Sequence, residues 1–515
     1  MRFSIATFFA SHLLALLPNT ALASQTPLGP SAGHQPRLAN VETTYDDDLF
    51  TPLESLEFVS ESSFTTLEHP GFPKHRVRIK KSKFCDGTVN SYTGYIDIGP
   101  KHLFFYFFES RSNPEKDDFI FWTNGGAGAS SALGLFMELG PCRALTSNGS
   151  SYHPESWNTN ANVFFVDQPV GVGFSYADYD GHVSTTEDAA QDIAAFIALF
   201  FQHFTKYQGA PLHMAGESYG GRYLPLFAAA VYDQNAALAE KGMSPVNLTS
   251  VMIGNGMTDY YSVLIGYVEL SCTRAEDIGP LHNIQSCVRM RLALPRCQKW
   301  TEKSCINTFD AISCSAALSF CQAEIEKPFW DLGINPYDIS KKCDQETLSE
   351  TLCYPETRHI VNYLNDPKIQ EVIGVDAPIN YTSVDWRTNQ LFTSSLDLYH
   401  PDTSLYVAEL LERDVRVLIY VGSYDWICNW IGNEKWTTDL KWFGQQAFAS
   451  LPLSDWSVSK AQGGTGTSKH EVAGQVRSAH GLTFATIYGA GHMVPYDKPR
   501  ESLEMVRRWL KKESL

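Results

Sequence analysis

Leu212-His213-Met214-Ala215-Gly216-Glu217-Ser218-Tyr219-Gly220-Gly221-Arg222-Tyr223 passes from an apolar run, through a serine between glycines, into a helical pattern. Leu212–Ala215 suits a buried strand, and Gly221–Tyr232 a helix. A G-x-S-x-G at the joint between them is a strained turn. The glycines let the backbone through, and the serine hydroxyl is lifted into the open. The five residues alone recur by chance; the strand before and the helix after give them weight. Working outward, Asp118–Trp122, Asn162–Asp167, Ser250–Ile253, Val415–Tyr420 and Thr483–Tyr488 are further short apolar runs ending in turn residues. They read as buried strands of a largely parallel sheet. Ser91–Ile98 and His102–Glu109 read as a hairpin about Gly99-Pro100, and Ala189–Phe204 and Ser502–Leu510 as helices. The alternation predicts a doubly wound α/β core.

A serine nucleophile needs a base, and the base an orienting carboxylate. Gly489-Ala490-Gly491-His492-Met493-Val494-Pro495 places a histidine on a glycine-rich loop after a strand. Gly422-Ser423-Tyr424-Asp425 places an aspartate just past another. Each is weak alone, since an Asp after a strand is often only a turn residue. The order Ser218, Asp425, His492 is that of an α/β-hydrolase triad. A third loop, Trp122-Thr123-Asn124-Gly125-Gly126-Ala127-Gly128, has glycines that allow backbone N–H groups to reach a substrate oxygen. No Walker lysine follows it and it is not G-x-G-x-x-G, which argues against a nucleotide loop. The second oxyanion donor is expected from the N–H of Tyr219.

The chain has 515 residues and a formal net charge of −17. That balance argues against a general nucleic-acid binder, which needs clustered Lys and Arg. The longest basic cluster is His75 to Lys83. Residues 1–23 read as a secretory signal peptide: a basic start, an apolar stretch too short for a span of about 20 residues, and an Ala-x-Ala site. Residues 24–60 carry Pro, Ser and the acids Asp46 to Asp48, and read as a propeptide or extension rather than core. The expected organisation is a first core part, 61–258, an insertion or cap, 259–404, and a second core part, 405–515. Eight of the eleven cysteines fall between Cys272 and Cys353, which predicts a disulfide framework in the insertion. Paired C-x-x-C spacing is absent, so no metal is expected. Asn148, Asn247 and Asn380 head glycosylation sequons.

Taken together these stretches resemble the serine carboxypeptidase family, in particular its fungal carboxypeptidase Y-like members. The resemblance runs from about Ser91 to the C-terminus. It is carried by Trp122–Ser131, Glu138-Leu139-Gly140-Pro141, Asp167-Gln168-Pro169 with Gly173-Phe174-Ser175-Tyr176, and Gly216–Tyr223. It continues in Ile253-Gly254-Asn255-Gly256, Asp425 with Ile427-Cys428-Asn429-Trp430, and Gly491–Pro495. It implies an α/β-hydrolase fold with a disulfide-rich cap. It implies Ser218, Asp425 and His492 as the triad, and Gly126 and Tyr219 as the oxyanion hole. Asn124 and Glu217 would grip the substrate's terminal carboxylate, supported by Trp122 and Glu138. Leu133, Met137 and Met493 would line the leaving-residue pocket. It further implies the disulfides Cys272–Cys287, Cys297–Cys321, Cys305–Cys314 and Cys343–Cys353, with a free thiol at Cys428; Cys85 and Cys142 are left over and could pair. The family's glycine loop usually has Pro at the place of Ala127, and often Cys or Gly at that of Ala129, the Cys of yeast-type members forming a disulfide to the insertion. The two alanines predict a looser loop.

The activity implied is removal of C-terminal amino acids from peptides and proteins through an acyl-enzyme, with an acidic optimum. No cofactor is implied; the enzyme would be a monomer or homodimer of the secretory pathway, extracellular or vacuolar. Glu217 fits this: an ionised glutamate would repel a carboxylate, whereas a protonated one donates to it. Acyl transfer to another acceptor, an impaired relative acting by binding, and an ordinary carboxylesterase are the alternatives. The last leaves Asn124 and Glu217 without a task.

Overall fold

The chain's apolar runs assemble into one sheet, seen in a computed structural model that describes residues 50–85, 87–179, 181–273, 278–460 and 469–515. The signal-peptide segment 1–23 and the extension up to residue 49 lie outside the described residues. In chain order the strands are β1 (Thr65–Glu68), β2 (His75–Lys81), β3 (Ser91–Ile98), β4 (Lys101–Phe108), β5 (Phe119–Thr123), β6 (Cys142–Thr146), β7 (Gly149–Tyr152), β8 (Asn162–Val166), β9 (Tyr176–Ala177), β10 (Leu212–Ser218), β11 (Leu248–Gly256), β12 (Arg416–Gly422), β13 (Ser454–Lys460), β14 (Lys469–Ala479) and β15 (Leu482–Ile487). The sheet order is β1-β2-β3-β4-β8-β5-β10-β11-β12-β15-β14-β13, with β9 on β4, and β6–β7 forming a separate hairpin. The stretch from β8 to β15 is parallel and both ends are antiparallel. This is the mostly parallel α/β-hydrolase arrangement expected from the sequence.

Parallel strands are buried on both faces, which explains their unbroken apolar runs. One face packs on helices α1 (Thr186–His203) and α2 (Gly220–Glu240), through Phe196, Phe200 and Phe227 among others. The other is filled by Trp122, Trp157, Trp456 and Trp509. Thr185 caps α1 by accepting from the Asp188 N–H, and Glu187 and Asp188 favour its positive N-terminal end.

Three features add to or correct the sequence reading. Residues 50–60 are not loose: Leu56 and Val59 are buried in the core. The basic cluster His75 to Lys83 is mainly strand β2, whose Arg78 pairs with Asp97 on β3 and with Asp376. The β13–β14 hairpin extends the sheet beyond the expected strands. Between β11 and β12 the described residues add no strand to the sheet and are largely helical, beginning with α3 (Tyr260–Cys272). Four disulfides close within it: Cys272–Cys287, Cys297–Cys321, Cys305–Cys314 and Cys343–Cys353. Cys85 is bonded to Cys142, and Cys428 is free and buried. The helix Thr403–Leu411 packs on α2, so the return to the core begins at about the expected boundary.

Candidate active site

Strand β10 ends on Ser218, whose φ of +62° lies in the left-handed region. A side-chain-bearing residue adopts it only under constraint, and such strain is concentrated at functional sites. The neighbouring glycines do different work. A β-carbon on Gly216 would stand 2.3 Å from the Thr123 carbonyl oxygen, and one on Gly221 2.5 Å from the Met257 nitrogen. One on Gly220 would meet nothing closer than 3.6 Å. Close packing of the turn against β5 and the end of β11 therefore demands Gly216 and Gly221. The second glycine of G-x-S-x-G is not required by space.

The loops after β12 and β15 bring Asp425 and His492 together. His492 Nδ1 lies 2.7 Å from Asp425 Oδ2, and both side chains are buried. Asp425 Oδ2 also accepts from Asn255 Nδ2 at 2.8 Å, and Oδ1 from the Ile427 N–H at 3.1 Å. The His492 N–H donates to the Tyr337 carbonyl of the insertion at 2.7 Å. Cys428 is buried beside Ser218; burial first, then the charges of Asp425 and Glu217, push its thiol well above the ordinary value, while the Ser218 hydroxyl opposes this. A thiol held neutral is a small packing residue, not a nucleophile. Ligand atoms of Asp425, Cys428 and His492 lie within 4.8 Å of one another.

The glycine loop closes over the serine. A β-carbon on Gly125 would stand 2.3 Å from the Tyr219 nitrogen, so Gly125 lets the loop backbone touch the turn. Among the described residues, the N–H groups of Gly126 and Tyr219 have no hydrogen-bond partner. Unpaired backbone donors beside a serine are the raw material of an oxyanion hole. The loop is also less free than its alanines suggest: Ala129 faces Val384 of the insertion in a one-residue antiparallel bridge.

Beneath the turn lies a buried polar cluster. Trp122 Nε1 donates to Asn124 Oδ1 at 2.8 Å, which fixes the amide. Asn124 Nδ2 then donates to Glu217 Oε1 at 2.9 Å and to Glu138 Oε1 at 3.3 Å. Burial, then the Glu138 charge and hydrogen bond, raise the Glu217 pKa well above the carboxylate range. Burial also raises Glu138, less so, because Glu217 and Asn124 hydrogen-bond to it. The two carboxyls titrate as one unit, and burial favours its keeping a proton. Glu138 sits on a π-helical turn, Gly134–Leu139, with Met137 before it and Leu133 at its start. Leu133, Met137 and Met493 are all buried in the cluster on this face of the sheet.

The sequence reading gave no role to Asn255, although it stands in a quoted motif; its φ of +43° was invisible there. Tyr337 and Asp397 were missed: their stretches carry no strand-end or glycine signal. A second Ser-His-Asp set was also passed over. His213 Nδ1 lies 2.6 Å from Ser250 Oγ, and Nε2 lies 3.0 Å from Asp118 Oδ2.

A serine on a strand-to-helix turn, with a buried His–Asp pair from the loops after two later strands, defines an α/β-hydrolase. The chain belongs to the serine carboxypeptidase family, whose model matches residues 83–512. It is 39% identical to carboxypeptidase Y of Candida albicans over 85% of this chain and 77% of that one. It is 38% identical to the vacuolar serine-type carboxypeptidase ATG42 of Saccharomyces cerevisiae, over 84% of this chain and 81% of that one. The solved structure of Kex1ΔP, a prohormone-processing carboxypeptidase from Saccharomyces cerevisiae, superposes with a TM-score of 0.71 at 22% identity, covering 88% and 96% of the two chains.

Proposed function

We propose that Ser218 is the nucleophile, His492 the general base and Asp425 the group that holds its imidazole. The N–H groups of Gly126 and Tyr219 form the oxyanion hole, and Asn124 with Glu217 binds the terminal carboxylate of a peptide. Trp122 and Glu138 support that pair, and Leu133, Met137 and Met493 line the pocket of the departing residue. Ser218 Oγ attacks the last peptide carbonyl while its proton passes to His492. The tetrahedral oxygen is held by the two N–H groups, and His492 returns the proton to the leaving amine. Water then attacks the acyl-enzyme by the same path. Cys428 packs beside this machinery.

The Asn124–Glu217–Glu138 cluster is the observation that carries the reading. An esterase has no use for a neutral glutamate next to its serine, whereas a protonated Glu217 can donate to a substrate carboxylate. The sign of the pH dependence follows. The pair loses its proton as pH rises, and a negative cluster then repels the peptide's carboxylate, so binding weakens toward alkaline pH and the optimum is acidic. The test is hydrolysis of a blocked dipeptide with a free C-terminal carboxylate, against its amide, from about pH 4 to about pH 8. Release from the acid, strongest at low pH and absent in Ser218→Ala, is expected. Equal release from acid and amide would overturn the carboxylate grip.

The secretory signal, the disulfides and similarity to a protein named as vacuolar support maturation in the secretory pathway, with the enzyme residing in the vacuole or outside the cell. Asn148, Asn247 and Asn380 are exposed, which suits glycan attachment. Residues 259–404 serve as the cap, on cores 61–258 and 405–515, and 24–60 as an N-terminal extension whose last residues pack on the core. The partners are peptide and protein C-termini.

A further inference from the structure

We propose that residues 383–397 of the insertion act as a clasp that sets the spacing of the two oxyanion donors, with Asn389 and Asp397 as its positioning residues. The proposal rests on the assignment of Gly126 and Tyr219 above. Ala127 and Ala129 supply neither a proline ring nor a covalent tie, so the loop backbone must be held by something else. Donors must stand about 2.7–3.1 Å from the developing oxyanion. A displacement of about 1 Å can lower the rate roughly 100-fold.

On the loop side, the Asp385 N–H donates to the Gly128 carbonyl at 2.8 Å, and the Ser130 N–H to the Ser383 carbonyl at 2.9 Å. Asn389 Nδ2 donates to the Ala127 carbonyl, one residue past the Gly126 donor, at 3.1 Å. A β-carbon on Gly128 would stand 2.6 Å from the Asp385 carbonyl oxygen, so loop and insertion meet backbone to backbone. On the nucleophile side, Phe392 packs edge-on against the Tyr219 ring with centroids 6.0 Å apart. The Tyr219 hydroxyl donates to Asp397 Oδ2 at 2.8 Å. Asp397 is itself fixed by the Thr186 N–H at 2.9 Å and the Thr186 hydroxyl at 2.6 Å, with Arg222 Nε 3.6 Å away. Asn389 and Phe392 share the helix Trp386–Ser394, three residues apart and hence on one side of it. One rigid turn of the insertion thus grips the chain beside each donor.

The experiment compares wild type, Ser218→Ala, Asn389→Leu and Tyr219→Phe. Peptide kcat and KM, the affinity for a peptide aldehyde that adds to the serine, and thermal unfolding are measured for each. Asn389→Leu and Tyr219→Phe should each lower kcat and weaken aldehyde binding by roughly tenfold, with KM within about twofold of wild type. Rescue separates positioning from general destabilisation. Ala129 and Val384 form a non-hydrogen-bonded antiparallel pair, whose Cα atoms stand about 4.5 Å apart, within reach of a disulfide. Ala129→Cys with Val384→Cys, oxidised, should restore kcat to Asn389→Leu, and mild thiol reduction should remove the gain while leaving wild type unaffected. Unchanged kcat in both single variants, or no rescue by the formed disulfide, overturns the clasp. A wild type that neither cleaves the peptide nor binds the aldehyde through Ser218 overturns the site assignment itself.

Discussion

Two Ser-His-Asp sets occupy this sheet, and by distance alone the one not proposed for catalysis looks better. Ser250, His213 and Asp118 are linked by contacts of 2.6 and 3.0 Å. Yet Ser250 lies inside strand β11 and is fully buried, and its hydroxyl also accepts from Trp509 Nε1 at 2.9 Å. Ser218 stands at the C-terminal end of β10, partly exposed, on a left-handed backbone, with unpaired N–H donors near by. In an open α/β sheet the strand C-termini are where loops converge and ligands bind. Three residue types in contact therefore do not make a catalyst. Access for the substrate and unpaired backbone donors beside the serine are what distinguish the two sets.

The comparison breaks most sharply at the serines. Ser218→Ala should reduce kcat on a peptide by about 10⁴-fold or more. Ser250→Ala should leave kcat/KM within about twofold and lower only the melting temperature. Loss of activity in a normally folded Ser250→Ala protein would reverse the assignment. The aspartates come next: Asp425→Asn should lower kcat by up to about 10⁴-fold, through the wrong imidazole tautomer, while Asp118→Asn should leave the steady-state kinetics as they are.

Glu217→Gln is a smaller change and sharpens the functional side. A glutamine cannot ionise, so the fall of peptide kcat/KM toward alkaline pH should flatten, with a loss of roughly tenfold at acidic pH, where the neutral acid is the better donor. A variant profile that keeps the wild-type alkaline fall would assign that fall elsewhere.

His213→Gln concerns stability alone and should destabilise by about 1–3 kcal/mol through the hydrogen bonds left unmade. Its pH dependence has a definite sign. Burial lowers the His213 pKa, with Asp118 opposing, so the imidazole is kept neutral in the fold. The unfolded chain takes up that proton as pH falls below about 6.5, its ordinary value. Wild type therefore loses this contribution in acid, and the gap in melting temperature between it and His213→Gln should narrow from pH about 8 to pH about 5. A widening gap would mean that His213 is charged in the fold.

Much of the fold was legible because its signals are local. Apolar runs bounded by turn residues located the central strands to within a few residues, and the order of Ser218, Asp425 and His492 named the class. The edges were harder to see. β2 carries Arg76, Arg78, Lys80 and Lys81 because only part of it is covered, and its charges answer Asp97 and Asp376 from other elements. In β14, Gly474 interrupts the strand pattern; a β-carbon there would stand 1.8 Å from the Thr486 carbonyl oxygen. That requirement belongs to the neighbouring strand. Asn255 and Asp397 were silent for the same reason: their partners, Asp425 and Tyr219, lie 170 and 178 residues away.

The sequence by itself determined the strand–turn–helix that carries Ser218, the parallel core, the cysteine-rich insertion and the set of residues available for chemistry. These depend on periodicity, turn preference and residue type, which neighbouring residues settle among themselves. Only the tertiary structure decided which of two Ser-His-Asp sets has its serine at an open strand end, that Glu138 and Glu217 are buried together as a proton-holding pair, and how the insertion grips a loop built with alanines. Each of these turns on burial and on distances across the fold, and no short stretch of chain contains them.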